Sequence, residues 1–330
     1  MAKNTILYDF RRNQLIMGAK RFFKDSNFSL LIAIIVIIIF MSLKSPYFFT
    51  LKNFLSIGLH ASIVGIMAAG LTVSMLMGIF DLSQFPVATL SGIAMGFLVS
   101  KNVSPFIAIL AAILVGFACG SFNALCLNVF KVNPIITTLA TMLIFRSLCY
   151  IFTGAKNTIF SSPFFDFIGR GYVFKIIPVS LIGLIVIFII TSYILNITVF
   201  GRKVYAVGAN PSASQLYGIS VKKIRTAGLI ISSVCSSIAG IFMMSQLGAI
   251  IPRAGVGSEL EIPASVILGG LGLAGGRGKM SGTILGICII ALIGNGLILA
   301  GVESFYQDLA KGLVLLIAVV IDSIRGGGYQ

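Results

Sequence analysis

Residues 28–43 read FSLLIAIIVIIIFMSL, with six basic residues of a polar tail (Lys3, Arg11, Arg12, Lys20, Arg21, Lys24) ahead of them and SPYF behind. A cleavable secretory signal needs a small-residue cleavage site close behind its apolar stretch. SPYF does not supply one, so the run reads as an uncleaved first membrane span. The rest of the chain repeats the pattern. Further apolar runs fall at about 55–79, 86–100, 103–130, 135–152, 176–200, 226–251, 260–275, 280–300 and 306–324. A span needs about 20 residues, so the count is ten, give or take two. The short runs 86–100 and 260–275 suit broken or re-entrant segments, which lipid permits only where protein or a cavity satisfies the backbone.

Composition agrees. Of 330 residues, 58% are hydrophobic and only 10% charged, and mean hydropathy is +1.07. An ordinary soluble domain carries about 25% charged residues, so there is too little charge here to coat a soluble surface. A soluble enzyme, a disordered chain and a disulfide scaffold are excluded. The five cysteines (Cys119, Cys126, Cys149, Cys235, Cys288) lie singly in apolar runs. They show neither metal-ligand spacing nor a disulfide framework and read as small packing residues.

The net charge of +15 would suggest nucleic acid in a soluble chain. In a multi-span chain it reports orientation, because Lys and Arg stay on the cytoplasmic side. With both termini cytoplasmic, the inside segments hold 15 Lys and Arg and the outside loops seven, a bias in the expected direction. The reading is an all-α polytopic helix bundle: a basic cytoplasmic tail (1–27), one transmembrane domain (28–325) with a cytoplasmic loop at 201–225, and a short cytoplasmic tail (326–330). Nucleic acid is not expected as a partner; the lipid bilayer is.

Inside the spans, small residues recur four apart at Gly92/Gly96, Gly116/Gly120 and Gly282/Gly286, a spacing that lets helix backbones approach closely in lipid. DLSQFPVATLSG (81–92) echoes ELEIPASVILGG (259–270), and the next runs reach GSFNAL (120–125) and GNGLIL (294–299). An inverted repeat would produce this pattern; so would chance similarity between apolar segments.

The 201–225 segment, GRKVYAVGANPSASQLYGISVKKIR, contains a short framed helix. Asn210 suits the N-cap, Pro211 the first helical position and Gly218 the left-handed residue beyond the end. The helix covers about 211–217 (Pro211, Ser212, Ala213, Ser214, Gln215, Leu216, Tyr217), with Ala213, Leu216 and Tyr217 available for an apolar face. It suits either a docking knob for a cytoplasmic partner or a surface helix on lipid headgroups.

This segment resembles the GR…A-x-G-x-N…A…GI signature of permease subunits of bacterial ATP-binding-cassette importers for simple sugars, the family of the ribose, galactose and arabinose permeases. Also similar to that family are PYFFTLKNFL…GIMAAGLTVSML, FDLS at 80–83, VNPIITTLATMLIFRSLCYI at 132–151, ILGGLGLAGGRGKMSGTILG at 267–286 and YQDLAKGLVLLIAVVID at 306–322. Phe80 before Asp81, with ITTLATM and Arg146, looks most like the arabinose-type branch. One departure stands out: the family continues DLS with Val and a small residue, where this chain has Gln84, Phe85 and Pro86.

The resemblance implies two permease subunits forming a pathway, most simply as a homodimer. It further implies an ATPase docked in the cytoplasm, an extracytoplasmic sugar-binding protein, and residence in the bacterial plasma (inner) membrane. The 211–217 helix, with Asn210 and Gly218, would be the coupling helix. ATP and Mg would bind the partner ATPase, and no cofactor or metal would bind this chain. No GxxxxGK[ST] phosphate loop occurs in the sequence, which fits that division. The alternative is a stand-alone secondary transporter or channel for a small neutral solute. Proton-coupled carriers tend to hold acidic residues deep in the bundle, whereas most acidic residues here lie at span ends or in loops.

Candidate pathway residues are Asp81 and, chosen by type and position, Asn123, Asn128, Thr137, Thr138, Thr141 and Asn295; these last six read equally as interhelical glue. Asp81 suits a brace for a broken segment or a substrate contact, and Arg146 a partner for an acidic residue in the bundle. His60, the only histidine, suits polar packing. Gly270–Gly275 matches GxGxxG literally, but with no strand before it the segment reads as a helix break or packing seam.

Overall fold

Proline and small polar residues set where the helices begin. Thr50, Ser104, Asn133 and Asn210 each accept a hydrogen bond from a backbone N–H one turn on, and the last three are followed directly by proline at the first helical position, where its missing N–H costs nothing. The structure, a computed structural model, describes residues 26–326. Nearly all of the expected 1–27 tail and residues 327–330 lie outside it.

The first half contains α1 (Ser26–Lys44), α2 (Leu51–Leu76), α3 (Gln84–Ser100), α4 (Pro105–Asn128) and α5 (Pro134–Thr153). A connecting region follows with β1 (Thr158–Ile159), α6 (Pro163–Arg170), β2 (Tyr172–Val173) and β3 (Ile177–Pro178), then α7 (Val179–Ile197), α8 (Val199–Ala209) and α9 (Pro211–Leu216). The second half contains α10 (Val221–Leu247), β4 (Ala249–Ile250), α11 (Glu261–Leu268), α12 (Met280–Leu299) and α13 (Ser304–Gly326). Seven described helices are long and apolar enough to cross a membrane: α1, α2, α4, α5, α7, α10 and α12. The apolar α3 is shorter, at 17 residues.

Of the two short apolar runs, 86–100 lies in one unbroken helix that follows a non-helical lead, and only 260–275 is itself broken. α3 starts only at Gln84, after the non-helical stretch Ile79–Ser83. α11 stops at Leu268, and Gly270 turns the chain with φ +88°, a conformation open to glycine but strained for other residues. The 201–225 segment is more ordered than a loop. It holds α8 and α9, and Lys222, Lys223 and Arg225 already belong to α10. The sequence reading passed over α8 because two glycines and adjacent basic residues obscure its buried stripe of Gly201, Val204 and Val207.

α10 is the centre of the bundle and packs along α2, α3 and α4; α2 in turn packs against α7, α11 and α12. The arrangement repeats: α3 touches α4 and α5, and α11 touches α12 and α13. With α2–α5 and α10–α13 taken as two four-helix units, the first helix of each lies against the second and third helices of the other. The echoing segments 81–92 and 259–270 fall at corresponding places in the two units, at α3 and α11.

Close approach depends on the small residues. A Cβ added to Gly92 would lie 2.8 Å from the Gly240 carbonyl of α10, and one on Gly116 would lie 2.7 Å from the Ser233 carbonyl. Gly120 faces Leu229 and Ile230 in the same seam, and Gly282 and Gly286 face Gly269 and Ser265 of α11. The buried serines Ser232, Ser233, Ser236 and Ser237 complete the small-residue surface of α10. At the end of the bundle away from α8 and α9, β1 pairs antiparallel with β4 (Thr158 opposite Ile250), and β2 pairs with β3. The five cysteines are free.

Candidate functional site

The non-helical lead into α3 places a carboxylate inside the bundle. Asp81 is 1% exposed, and bare burial of a charged group in low dielectric would be costly. Its Oδ1 accepts hydrogen bonds from the Ser83 backbone N–H (3.0 Å) and the Ser83 hydroxyl (2.7 Å). Its Oδ2 accepts from the Ser232 hydroxyl of α10 at 2.8 Å. The ion pairs found among the described residues do not include it, so hydroxyls and an amide N–H satisfy it in place of a cation.

Gln84, the departure from the family pattern, is part of this network. Its Nε2 donates to the Met67 carbonyl of α2 (2.9 Å) and to the Ser232 hydroxyl (3.0 Å). Asn123 of α4 donates to the Ser83 hydroxyl at 2.9 Å, and Thr138 of α5 donates to the Phe80 carbonyl at 2.8 Å. Residues 80–84 are therefore tied to α2, α4, α5 and α10 at once. The oxygens Gln84 Oε1, Asn123 Oδ1 and Thr137 Oγ1 are buried without a hydrogen-bond partner. Buried amide oxygens without partners are costly and give the network spare acceptor capacity.

The structure gathers Asp81, Asn123 and Thr138 here, with Thr137 and Thr141 beside Thr138 on α5, and ties Asn128 and Asn295 elsewhere. Thr141 bonds only to the Thr138 carbonyl of its own helix. Asn128 donates to Thr226 Oγ1 at 2.8 Å, joining α4 to α10. Asn295 and Asn53 exchange two hydrogen bonds of 2.9 Å, joining α12 to α2. Arg146 does pair with an acidic residue: it lies 3.3 Å from Glu259 and donates to the carbonyls of Pro252 and Ala254. His60 packs beside a carboxylate, 3.4 Å from Glu261 Oε2.

Sequence reasoning missed Ser83, Ser232, Glu261 and Lys311 as members of polar clusters. Ser232 carries no signal, lying in a serine-rich helix, and Lys311 reads only as a charge inside the apolar run 306–324. Glu261 had one usable signal, its place two residues before a proline, as Gln84 precedes Pro86. Among the described residues no three His, Cys, Asp or Glu side chains come together as a metal site.

Beyond α8, α9 forms as the capping residues dictate. The Asn210 side chain accepts from the Ala213 N–H at 2.9 Å, and Gly218 adopts φ +77° beyond the helix. Leu216 and Tyr217 do not fold back onto the bundle; they are 89% and 87% exposed. α8 carries this knob and is itself wedged against the bundle. Tyr205 donates its hydroxyl to the Gly278 carbonyl at 3.1 Å, and burial pushes its phenol upward from its ordinary range. The Gly276 N–H donates to the Leu76 carbonyl at 2.8 Å, and Gly208 lies against both residues.

Residues 53–319 match the family described as the permease component of branched-chain amino acid transport systems. The chain is 37% identical to a ribose import permease protein of Haemophilus influenzae over 299 residues, covering 89% of this chain and 92% of that one. It is 33% identical to the D-allose transport system permease protein of Escherichia coli, covering 92% and 93%. It is 32% identical to the L-arabinose transport system permease protein of that organism, covering 90% of this chain and 90% of that one. No solved structure matches.

Proposed function

From the premise that this chain belongs to the permease-component family, we propose that it is the membrane subunit of an ATP-driven importer for a simple sugar. The observation that carries the reading is the alignment with a ribose permease over about nine-tenths of both chains. A pentose is the first substrate to test. A multi-pass chain of this family is a transport subunit, and ATP with Mg would act on a separate ATPase.

In this reading α8 and α9 face the cytoplasm and the β1–β4 pairing faces outward. The chain resides in the bacterial inner membrane. The seven long apolar helices, together with α3, α11 and α13, make ten passes and leave both termini in the cytoplasm. The exposed Leu216 and Tyr217 seat α9 in the ATPase. Movement of α9 would pass through α8 to the end of α2 and to the glycine-rich segment after α11, where Gly208, Gly276 and Leu76 meet. A binding protein would deliver the sugar at the opposite end, to a pathway completed by a second copy of the chain. Polar side chains suit a neutral sugar, which needs hydrogen-bond partners more than charges. The network at residues 80–84 offers spare acceptors at Gln84 and Asn123, and Thr137 and Thr141 stand nearby on α5.

The test is reconstitution in liposomes with the partner ATPase and sugar-binding protein. ATP-dependent uptake of ribose, allose or arabinose, lost when Leu216 and Tyr217 are both replaced by serine, is expected. Uptake by this chain alone, driven by a proton or sodium gradient, would overturn the reading.

A further inference from the structure

A second polar cluster lies in the other unit, where α11 begins. Glu261 is 3% exposed and sits between α2 and α13. Its Oε1 is 2.6 Å from Lys311 Nζ, and its Oε2 is 3.4 Å from His60 Nε2. That second separation is not a hydrogen bond, and Glu261 Oε2 is a buried oxygen with no hydrogen-bond partner.

Beside it is a cavity of about 260 Å³ lined by His60, Glu261, Gly294, Asn295, Gln307 and Lys311. Ionisable side chains at such positions face protein or a water-filled cavity rather than lipid. The mouth is open, since His60 is 59% exposed. Ile290 and Ile298 supply an apolar wall. The volume is below the roughly 300 Å³ at which pockets for drug-sized ligands begin, and suits one sugar ring.

The chemistry of the lining selects the ligand. One carboxylate and one ammonium face each other at 2.6 Å, so this pair cancels and leaves neither group free to hold an ion. What remains is the second carboxylate oxygen of Glu261, the carboxamides of Asn295 and Gln307 and the hydroxyls of Ser56 and Ser258 against an apolar wall, a set suited to hydroxyl groups carried on a C–H face. We propose that this cavity binds a neutral polyhydroxyl ligand, the transported sugar, at the end of the bundle opposite α8 and α9. The naming of the ligand as the transported sugar rests on the importer reading; the cavity's preference for a neutral polyol does not.

Gly294 permits a test that spares the fold. It lies within α12 and lines the cavity, and a Cβ built there meets nothing within 4 Å. Gly294→Leu fills the space without a clash at its first atom. The full chain in lipid nanodiscs, without partners, is titrated with D-ribose, D-allose and L-arabinose by saturation-transfer NMR. Binding of at least one sugar is expected, weakened tenfold or more by Gly294→Leu at unchanged Tm. Glu261→Gln, which keeps the shape and removes the charge, is expected to weaken it too and serves if the leucine variant misfolds. No transfer from any of the three sugars, or binding unchanged in the folded variants, overturns the proposal.

ATP-driven uptake by the assembled complex separates the two readings. Wild-type uptake that persists undiminished in Gly294→Leu overturns the sugar site and leaves the importer standing. No uptake of any sugar by the complex, with NMR binding still sensitive to Gly294→Leu, overturns the importer and supports the polyol site.

Discussion

Ser232 of α10 donates its hydroxyl to Asp81 at 2.8 Å while accepting a hydrogen bond from Gln84 at 3.0 Å. One small side chain on the central helix therefore holds both the carboxylate and the amide of the non-helical lead. Ser232→Ala removes both bonds and is expected to destabilise the chain by about 1.5–3 kcal/mol, the range for a hydrogen bond to a charged group. Thermal unfolding in detergent checks this. An unchanged Tm would show that water replaces the hydroxyl.

Asn53 and Asn295 make a reciprocal pair across two helices. Interhelical hydrogen bonds in membranes average about 0.6 kcal/mol and reach about 1.7 kcal/mol. A double-mutant cycle of Asn53→Ala and Asn295→Ala should give a coupling energy in the upper part of that range, because two bonds are lost together. Additive single-mutant effects would refute the pairing.

The short α9 depends on its ends. Asn210→Ala removes the cap and should cost the helix about 1 kcal/mol. Gly218→Val forces a β-branched side chain into a left-handed conformation, where an L-residue loses roughly 1–2 kcal/mol. Both changes are expected to lower sugar-stimulated ATPase activity of the complex while leaving the Tm of the isolated chain within about 1 °C, since local fraying of a surface helix need not weaken the global fold. A large fall in Tm would show instead that α9 supports the bundle.

Arg146 holds the segment before α11 through two carbonyls and Glu259. Arg146→Lys keeps the charge but not the fork of donors, so it should fail to restore what Arg146→Ala loses. Hydrogen exchange across residues 251–260 should rise in both variants. Protection equal to wild type in the lysine variant would show that charge alone suffices.

Tyr205→Phe deletes the hydroxyl that reaches Gly278 and is expected to uncouple ATP hydrolysis from uptake at a stability cost of about 0.5–1.5 kcal/mol. Burial raises the folded-state pKa of this phenol above its ordinary value of 10.0. Its contribution is therefore complete below that pH and disappears as pH climbs through the folded value. The alkaline fall in Tm should be shallower in the phenylalanine variant.

Much of this was legible in the residues because lipid imposes simple rules. Apolar length marked the seven long helices, glycine spacing marked seams against α10 and α11, and the Asn-Pro…Gly frame marked α9. What stayed hidden depends on contacts distant in the chain. Glu261 and Lys311 are 50 residues apart, and no local pattern joins them. Ser232 is one of several serines on the buried small-residue face of α10, and only the path of residues 80–84 singles it out. α8 was missed because a stripe of Gly, Val and Val is too small to register as a buried face until the opposing carbonyl of Leu76 is known. The pathway candidates divided for the same reason, since residue type marks a polar side chain but not its partner.

Gly208 lies against Leu76 and Gly276 with no space for even a methyl group. Backbone therefore meets backbone at that junction, with no pliable side chain to take up slack. A displacement of α8 cannot be cushioned there. On the importer reading the joint would act as a stiff lever, carrying a stroke at the tip of α9 undamped to two separate stretches of the chain, at Leu76 and Gly276.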